Sequence, residues 1–391
     1  MSVLVVGSGG REHALVWALA REGVELHAAP GNPGIAALAS CHPVRADDPA
    51  SLVPLADELG VDLVVVGPEA PLVAGLADAL RRRGIPVFGP SSAAARIEGS
   101  KSFAKDVMDA AGVPTAGTLA VARPPCVVKA DGLAAGKGVW VCRDQSELEA
   151  ALPAVQALGQ PFHVEELLEG PELSLLAIAA GEEAVALPPA RDYKRIGDGD
   201  TGPNTGGMGS FSPVADAPDP EEIIETIHRP VLRELARRGM PFTGLLYAGL
   251  MLTADGVRVI EFNCRFGDPE TQSLLPRLEG SLLGALAASA AGQLAGVELP
   301  TNELAAVTVV VASGDYPEGG DSGTPIDVEA TDALVFHAGT ALQGARLVTN
   351  GGRVLDVVGT GATIADARAS AYAGVACIDF TGMQFRSDIG A

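Results

Sequence analysis

Short strand patterns alternate with helical patterns through the first hundred residues. Strands are predicted at 3–6, 25–28, 63–66 and 87–88, and helices between them at 11–22, 49–59 and 72–83. Strict alternation of this kind is typical of an α/β domain built on a doubly wound parallel sheet. A glycine or proline turn follows each predicted strand. We therefore expect ligands to bind at the carboxyl ends of these strands.

The chain is too long for one core, because single cores stop growing at roughly 250 to 300 residues. Among its 391 residues we expect the doubly wound domain at 1–99, a middle domain at 100–302 and a small C-terminal α/β domain at 303–391. Short strand patterns around one helix predict a small inserted lid domain at about 123–188, within the middle domain.

The net charge limits the ligands that the protein can bind. A formal charge of -22 repels nucleic acid and anionic membranes, so these partners are not expected, and small phosphate-bearing substrates must meet a local basic pocket. The uncharged segment at 280–297 contains serine, glutamine and glycine, so it predicts a buried helix. Five cysteines without a CxxC pair predict reduced thiols in a cytoplasmic protein, which we expect to be a monomer.

The few lysines of the chain mark a phosphate-handling region. The chain has twenty-two arginines but only five lysines, which are Lys101, Lys105, Lys129, Lys137 and Lys194. Lys137 lies in a glycine-rich loop at 132–138 between two predicted strands. The loop is not a Walker A sequence, because Gly138 stands where serine or threonine should follow the lysine. It could close over a triphosphate, and an ordinary loose hairpin is the alternative.

The first turn, at residues 7–10, is not a dinucleotide fingerprint. Glu12 occupies the position of the third glycine. A helix that begins at such a turn presents backbone N–H groups, which suits a single phosphate. A turn that is merely tight is the alternative interpretation.

Oxygen-bearing side chains cluster after the strand predicted at 257–263. Strand periodicity places Glu261 and Asn263 on one face, as oxygen ligands for a hard cation. Arg265, Asp268 and Glu270 follow and could orient a small amino acid. Capping of a helix is the alternative for Asp268.

Six ordered motifs together resemble the phosphoribosylamine–glycine ligase family, whose members are ATP-grasp enzymes of purine biosynthesis. The resemblance implies that the chain joins glycine to 5-phosphoribosylamine with ATP, through a glycyl phosphate intermediate, using Mg²⁺ or Mn²⁺. The motifs are Gly-Ser-Gly-Gly-Arg-Glu-His-Ala at 7–14, Gly-Pro-Glu-Ala-Pro-Leu at 67–72, Glu-Gly-Ser-Lys at 98–101, the lysine and glycine loop at 129–138, the glycine-rich segment at 200–209 and Glu-Phe-Asn-Cys-Arg-Phe-Gly-Asp-Pro-Glu-Thr at 261–271.

The same resemblance implies a role for each matching residue. Metal binding is implied for Glu261 and Asn263, and catalysis for Arg265, Lys194 and Asp192. ATP binding is implied for Lys101, Lys129, Gly132, Gly136, Lys137, Gly138, Glu165, Glu166, Leu168 and Glu172. The segment at 164–168 is implied to line the adenine, and Glu172 to hold the ribose. Substrate binding is implied for Gly9, Gly10, Asn32, Glu69, Asn204, Thr205, Gly206, Asp268 and Glu270.

Three features depart from the family pattern. Only twelve residues separate Pro114 from Val127, and the segment at 146–163 is also short, so a smaller lid is expected. Residues 247–251 offer no acidic partner for the metal, and residues 191–195 differ from the frequent Gln-Asp-His-Lys-Arg pattern at two positions. The rival functions are another ligase or carboxylase of the same fold and a non-enzymatic nucleotide-binding regulator. A dehydrogenase is disfavoured by Glu12.

Overall fold

The N-terminal domain is a parallel sheet with helices on both faces, as the alternation predicts. The computed structural model describes residues 1–132 and 138–391. The sheet has the order β3-β2-β1-β4-β5, so connections leave β1 in both directions and create a crevice at its carboxyl end. The elements are β1 (Ser2–Gly7), α1 (Gly10–Ala20), β2 (Glu25–Pro30), β3 (Ser40–Cys41), α2 (Pro49–Leu59), β4 (Leu63–Val66), α3 (Glu69–Val73), α4 (Leu76–Arg82) and β5 (Val87–Phe88), with a 3-10 turn at Ile35–Ala37.

The helix predicted at 72–83 is two helices. Gly75 lies between α3 and α4 with a φ of 86°, a left-handed conformation that favours glycine and interrupts the helix.

A small antiparallel sheet follows two connecting helices. Its strand order is β7-β6-β8, and one helix packs on it around Cys126, Val128 and Leu148. The segment at 112–125 contains no helix, in agreement with the shortened connection expected there. The elements are α5 (Ser92–Gly99), α6 (Lys101–Ala111), β6 (Cys126–Ala130), β7 (Val139–Cys142), α7 (Gln145–Ala157) and β8 (Phe162–Glu166).

A larger antiparallel sheet of order β10-β9-β15-β16 forms the rest of the middle domain. Short turns join β9 to β10 and β15 to β16, and a long connection with strands and helices separates β10 from β15. In chain order the elements are β9 (Glu172–Gly181), β10 (Glu183–Ala186), β11 (Arg191–Asp192), β12 (Arg195–Gly197), β13 (Thr201–Asn204), β14 (Gly209–Ser212), α8 (Pro220–Ile223), a short π-helix at Ile224–His228, α9 (Arg229–Arg237), β15 (Phe242–Thr253) and β16 (Gly256–Asn263).

The small sheet is shorter than the lid predicted at 123–188. Strand β9 pairs with β15 from Glu172 to Gly181, so it belongs to the larger sheet, and the small sheet ends at Glu166. Local pattern could not place this limit, because the partner of β9 lies about sixty residues further along the chain.

The C-terminal domain completes its main sheet with strands from the middle of the chain. The order is β11-β14-β17-β23-β20, so residues 191–192 and 209–212 join the section predicted to begin at 303. The elements that follow β16 along the chain are α10 (Glu270–Leu274), a 3-10 turn at Leu275–Arg277, α11 (Leu282–Ala290), β17 (Ala305–Ala312), β18 (Asp321–Pro325), β19 (Asp327–Val328), β20 (Leu334–His337), β21 (Thr340–Gln343), β22 (Arg346–Gly351), β23 (Arg353–Gly361), α12 (Ile364–Val375) and β24 (Ile378–Asp379).

The uncharged segment at 280–297 contains the nine-residue helix α11, whose buried face includes Leu282, Ala285 and Leu286. Within residues 1–132 and 138–391, we find no helix with the length and apolarity needed to cross a membrane.

Candidate functional site

Two lysines and one glutamate form a buried ionic cluster between the small and large sheets. Lys129 Nζ lies 2.5 Å from Glu165 Oε2 and donates to the carbonyl of Ile260 at 3.1 Å. Lys105 Nζ lies 3.2 Å from Glu165 Oε1. Burial alone would raise the pKa of Glu165, but His163 and the two lysines outweigh it and lower that pKa to about 2. The strand pairing of β6 with β8 thus brings two predicted ATP-binding residues, Lys129 and Glu165, together.

Lys101 links helix α6 to the beginning of the glycine-rich loop. The helix begins after Ser100, whose hydroxyl caps it, and Lys101 Nζ donates to the carbonyl of Gly132 at 3.3 Å. The carbonyl of Gly138 accepts from Ala130 N–H at 2.8 Å, which closes the base of the loop. Gly136 and Lys137, predicted to contact ATP, lie outside the described residues.

Glu166 and Leu168 lie on the predicted adenine side. Glu166 Oε1 accepts from Gly117 N–H at 2.8 Å and from Arg258 at 3.1 Å, so its carboxylate joins the small sheet to β16. Leu168 is half-buried in the connection between β8 and β9.

Glu261 and Asn263 lie two residues apart at the end of β16, opposite Gly249 and Tyr247. Burial alone would raise the pKa of Glu261, but Lys194, Lys101 and Lys129 outweigh it and keep that pKa below its usual range. A carboxylate surrounded by cations suits a site for metal and triphosphate together.

Glu261 and Asn263 could supply only part of the oxygen ligands that a hard cation needs. No group of three His, Cys, Asp or Glu side chains converges on one point among the described residues. A Mg²⁺ or Mn²⁺ ion held by Glu261 and Asn263 would therefore take further oxygen ligands from phosphate and water, as such ions commonly do.

Arg265 is fixed by two acidic side chains and one amide from three parts of the chain. Its Nη2 lies 3.2 Å from Glu98 Oε1 and donates to Asn263 Oδ1 at 3.3 Å, and its Nε lies 3.5 Å from Glu69 Oε2. Glu98 also accepts the N–H of Cys264 at 2.7 Å. The predicted residues Arg265, Glu69 and Asn263 are thus adjacent, while Glu98 was missed as a site residue although its motif at 98–101 was recognised.

Lys194 and Glu172 form an ion pair of 2.7 Å beside Asp192. Burial opposes the charge of Lys194, but Glu172 and Asp192 outweigh it and raise the lysine pKa well above its usual value. Burial raises the pKa of Asp192, and the nearby carboxylates of Glu270, Glu172 and Glu261 add to this effect against Lys194. Two predicted catalytic residues therefore lie close to the proposed metal ligand and to the predicted ribose-binding glutamate.

Glu270 is a buried support of this region. Its Oε1 accepts from Tyr247 at 3.0 Å and from Ser174 at 3.2 Å. Because these bonds and its burial occupy the carboxylate, Glu270 holds α10 against the large sheet, and direct contact with a substrate stays a prediction.

A cavity of about 460 Å³ lies at the carboxyl ends of β1, β2 and β4. This is the position expected for a ligand in a doubly wound sheet. Asp268 reaches this cavity from the middle domain, so the cavity faces both domains. The lining residues are Gly7, Ser8, Gly9, Arg11, Glu12, Pro30, Arg45, Ala46, Asp47, Pro68, Ala70, Pro71 and Asp268.

One N–H group of the first turn is bonded within the turn itself. Gly9 N–H donates to Glu12 Oε2 at 2.6 Å, because Glu12 folds back over the start of α1. A Cβ atom at Gly10 would lie 1.7 Å from Asp356 Oδ2 of the C-terminal domain. Gly9 therefore lines the cavity with its N–H already bonded, and Gly10 packs against another domain.

Several predicted substrate residues hold loops together. Both amide hydrogens of Asn32 are used, by the carbonyls of Ser8 at 2.9 Å and His337 at 2.7 Å. Thr205 donates from its N–H and its hydroxyl to the carbonyl of Lys194, and Asn204 pairs with Arg195.

The C-terminal domain contributes contacts that the sequence did not predict. Arg353 donates to the carbonyls of Gly206 at 2.9 Å and Asp268 at 2.8 Å, and its Nη2 lies 3.2 Å from Asp268 Oδ2. Gly206 N–H donates to Tyr316 at 2.7 Å. Arginine is common in this chain, so nothing local marked Arg353 as a site residue.

Comparisons with known proteins agree along the whole chain. Three family models match it in order: the N domain of phosphoribosylglycinamide synthetase at 1–98, its ATP-grasp domain at 99–271 and its C domain at 306–391. A phosphoribosylamine–glycine ligase of Streptomyces coelicolor is 53% identical over 415 residues, covering 100% of this chain and 99% of that protein. The enzyme of the same name from Leifsonia xyli is 51% identical, with 100% of both chains covered.

Solved structures share the fold. The crystal structure of phosphoribosylamine–glycine ligase from Thermotoga maritima aligns with a TM-score of 0.88 at 36% identity, covering 99% of this chain and 100% of that chain. The biotin carboxylase domain of a 2-oxoglutarate carboxylase from Hydrogenobacter thermophilus aligns with a TM-score of 0.73 at 18% identity, covering 98% and 91%. The second likeness shows the fold alone.

Proposed function

The chain belongs to the phosphoribosylglycinamide synthetase family, and we infer from this membership that it is an ATP-dependent ligase of purine biosynthesis. It joins glycine to 5-phosphoribosylamine and releases glycinamide ribonucleotide, ADP and phosphate. The observation that supports this function most strongly is the set of cations at the end of β16. Lys129 donates to the carbonyl of Ile260, next to Glu261, and Arg265 donates to Asn263. Lys194, Lys101 and Lys129 keep the pKa of Glu261 below its usual range. Cations arranged around one carboxylate suit a triphosphate that shares a metal ion with the protein.

Phosphoryl transfer is the first proposed step. A carboxylate oxygen of glycine attacks the γ-phosphorus of ATP, and the bond from that phosphorus to its bridging oxygen breaks with the electron pair leaving on ADP. Lys101 and Lys129 neutralise charge on the phosphate oxygens, and the product is glycyl phosphate.

Glu261 and Asn263 are the proposed ligands of the divalent cation. A bound Mg²⁺ or Mn²⁺ would offset the negative charge of the triphosphate. Asn263 also accepts from Arg265, so this arginine is held beside the proposed metal ligands.

Acyl transfer is the second proposed step. The cavity at the carboxyl ends of β1, β2 and β4 holds 5-phosphoribosylamine, with Asp268 at its middle-domain side. The amine attacks the carbonyl carbon of glycyl phosphate and loses a proton, and the bond from that carbon to the phosphate oxygen breaks. Arg265 stabilises the tetrahedral oxyanion.

A direct assay separates this proposal from its rivals. ADP release should require glycine and 5-phosphoribosylamine together, and bicarbonate should not replace glycine. ADP release with bicarbonate would favour a carboxylase, and ATP binding without turnover would favour a nucleotide-binding regulator. We also propose a cytoplasmic location, from the cysteine pattern of the sequence, and a monomeric state.

A further inference from the structure

The last residues of the chain hold an exposed hairpin of the middle domain. The hairpin consists of residues 195–204, with strands β12 and β13, and its turn lies in solvent. Arg386, whose side chain is only 1% exposed, donates to the carbonyl of Arg195 at 3.1 Å and to Asp200 Oδ1 at 2.7 Å. It also pairs with both oxygens of Asp388, at 2.7 and 2.6 Å. One buried arginine therefore joins the chain terminus to both sides of the hairpin turn.

Further bonds connect the same two segments. Ser387 N–H donates to Asp198 Oδ1 at 2.8 Å, and Gly199 N–H donates to Asp388 Oδ2 at 2.8 Å. The guanidinium of Arg386 stacks over the ring of Tyr193 at 4.7 Å. The hairpin is thus held at its turn and at its base.

The hairpin turn has a conformation that needs support. Asp200 has a φ of 54°, and it is the one non-glycine residue of the described chain in the left-handed region. This conformation disfavours most side chains, with aspartate among the residues that tolerate it best. The bond from Arg386 to Asp200 stabilises the turn in this form.

Both ends of the hairpin lead directly into the proposed active site. Lys194, which pairs with Glu172, precedes it, and Thr205 follows it. Thr205 donates its N–H to the carbonyl of Lys194 at 2.7 Å, and the next residue, Gly206, contacts Arg353. A displacement of the hairpin would therefore move both Lys194 and the turn that touches Asp268.

We propose that Arg386 is a positioning residue, which acts through the hairpin at 195–204. It holds Lys194 and the Thr205–Gly206 turn in positions that keep water away from glycyl phosphate. This inference rests on the proposed ligase function. When the hairpin loosens, water adds to the carbonyl carbon of glycyl phosphate, the bond from that carbon to the phosphate oxygen breaks, and glycine and phosphate are released. The net reaction is then hydrolysis of ATP to ADP and phosphate.

The test compares Asp200→Asn and Arg386→Lys with a matched control. Asparagine tolerates the left-handed turn, so Asp200→Asn removes the ionic bond with little change of shape. Asp106→Asn is the control, because Asp106 has the same 69% exposure and also pairs with an arginine, Arg238. In Asp200→Asn and Arg386→Lys we expect the ratio of ADP to glycinamide ribonucleotide to rise at least about threefold. We also expect kcat to fall about tenfold, which corresponds to a loss of about 1.4 kcal/mol of transition-state stabilisation. The KM for ATP should stay within twofold.

Hydrogen exchange provides a readout that does not depend on the reaction. The amides of Gly199 and Ser387 should exchange faster in Asp200→Asn than in wild type or Asp106→Asn. If wild-type protein makes no glycinamide ribonucleotide, the proposed function fails and the exchange result still tests the hairpin contact. The proposed role of Arg386 would be overturned if Asp200→Asn kept both the wild-type ratio of ADP to glycinamide ribonucleotide and the wild-type exchange rates. This holds even if Arg386→Lys fails to fold.

Discussion

At the residue scale, the surroundings of Lys129 explain why lysine suits this position better than arginine. Its side chain is only 8% exposed and is enclosed by Glu165 on one side and by the carbonyl of Ile260 on the other. A compact ammonium can point at both groups, while a planar guanidinium is wider and needs a different set of acceptors. The position therefore suits a point charge that faces phosphate oxygens.

Lys129→Arg should consequently weaken ATP binding although the charge is kept. We expect a loss of at least about tenfold in affinity, because the larger head cannot occupy the same enclosed position. Calorimetry with a non-hydrolysable ATP analogue measures this, with Arg143→Lys at an exposed site as the control. Unchanged affinity in both Lys129→Arg and Lys101→Arg would show that the lysine distribution has no relation to phosphate binding.

Substitution of the proposed metal ligands gives a second prediction at this scale. Glu261→Gln or Asn263→Ala should lower metal-dependent turnover by about a hundredfold or more, since both remove a proposed oxygen ligand. ADP release is measured across a Mg²⁺ titration. Asp255→Asn, an exposed acid in the turn between β15 and β16, should behave like wild type. Turnover near the wild-type level in both site variants would exclude the metal assignment.

At the scale of elements, the cavity is built by strand ends and two helix starts. The start of α1 contributes Gly9 and Glu12, and the start of α3 contributes Ala70. Because Gly10 packs against Asp356, a larger residue there would disturb the contact between domains and would not test substrate binding. The exposed methyl group of Ala70 offers a cleaner way to fill the cavity.

Ala70→Trp should raise the KM for 5-phosphoribosylamine by about tenfold or more, because the indole ring occupies the cavity. The KM for ATP should change little, since the lysine cluster lies in the middle domain. Ala93→Trp on α5, which is exposed and away from the cavity lining, is the control. The opposite pattern, with ATP binding lost, would place the nucleotide in the N-terminal domain.

Local sequence pattern predicted most elements of this fold but not their long-range partners. The bounds of α2 agree with the prediction, because a proline begins the helix and a glycine ends it. The limit of the small sheet was missed because β9 pairs with a distant strand. In the site, the motif residues lie around the end of β16, where Lys129 donates to Ile260 and Arg265 donates to Asn263. Glu98, Arg353 and Arg386 act through contacts that only the tertiary structure creates.

At the scale of the whole molecule, buried histidines couple domain packing to pH. His13 of α1 accepts the N–H of His337 at 2.7 Å and so joins the first and last domains. Burial lowers the pKa of His13 to about 3, with help from His337, and burial alone lowers that of His337 to about 4. Burial also lowers the pKa of His228, at the end of the π-helix, to about 4.

These shifts predict loss of stability in mild acid. A histidine whose pKa is lower in the folded state contributes full stability above its unfolded pKa of about 6.5, and that stability is lost as pH falls toward the folded value. Each such histidine lowers the free energy of unfolding by about 1.4 kcal/mol per pH unit in that range. His228→Leu should reduce this slope, as measured by urea unfolding at pH 5 and pH 7.5. Val231→Ala in α9 should lower stability equally at both pH values, and an unchanged slope in His228→Leu would contradict the assignment.

In the proposed mechanism, glycine is activated as an acyl phosphate before the amine attacks its carbonyl carbon. The most direct measurement uses glycine labelled with ¹⁸O in its carboxylate, followed by mass spectrometry of the released phosphate. One labelled oxygen should appear in each phosphate, because the carboxylate oxygen that attacks the γ-phosphorus leaves with the phosphate when the amine attacks. Unlabelled phosphate accompanying the formation of glycinamide ribonucleotide would contradict the account.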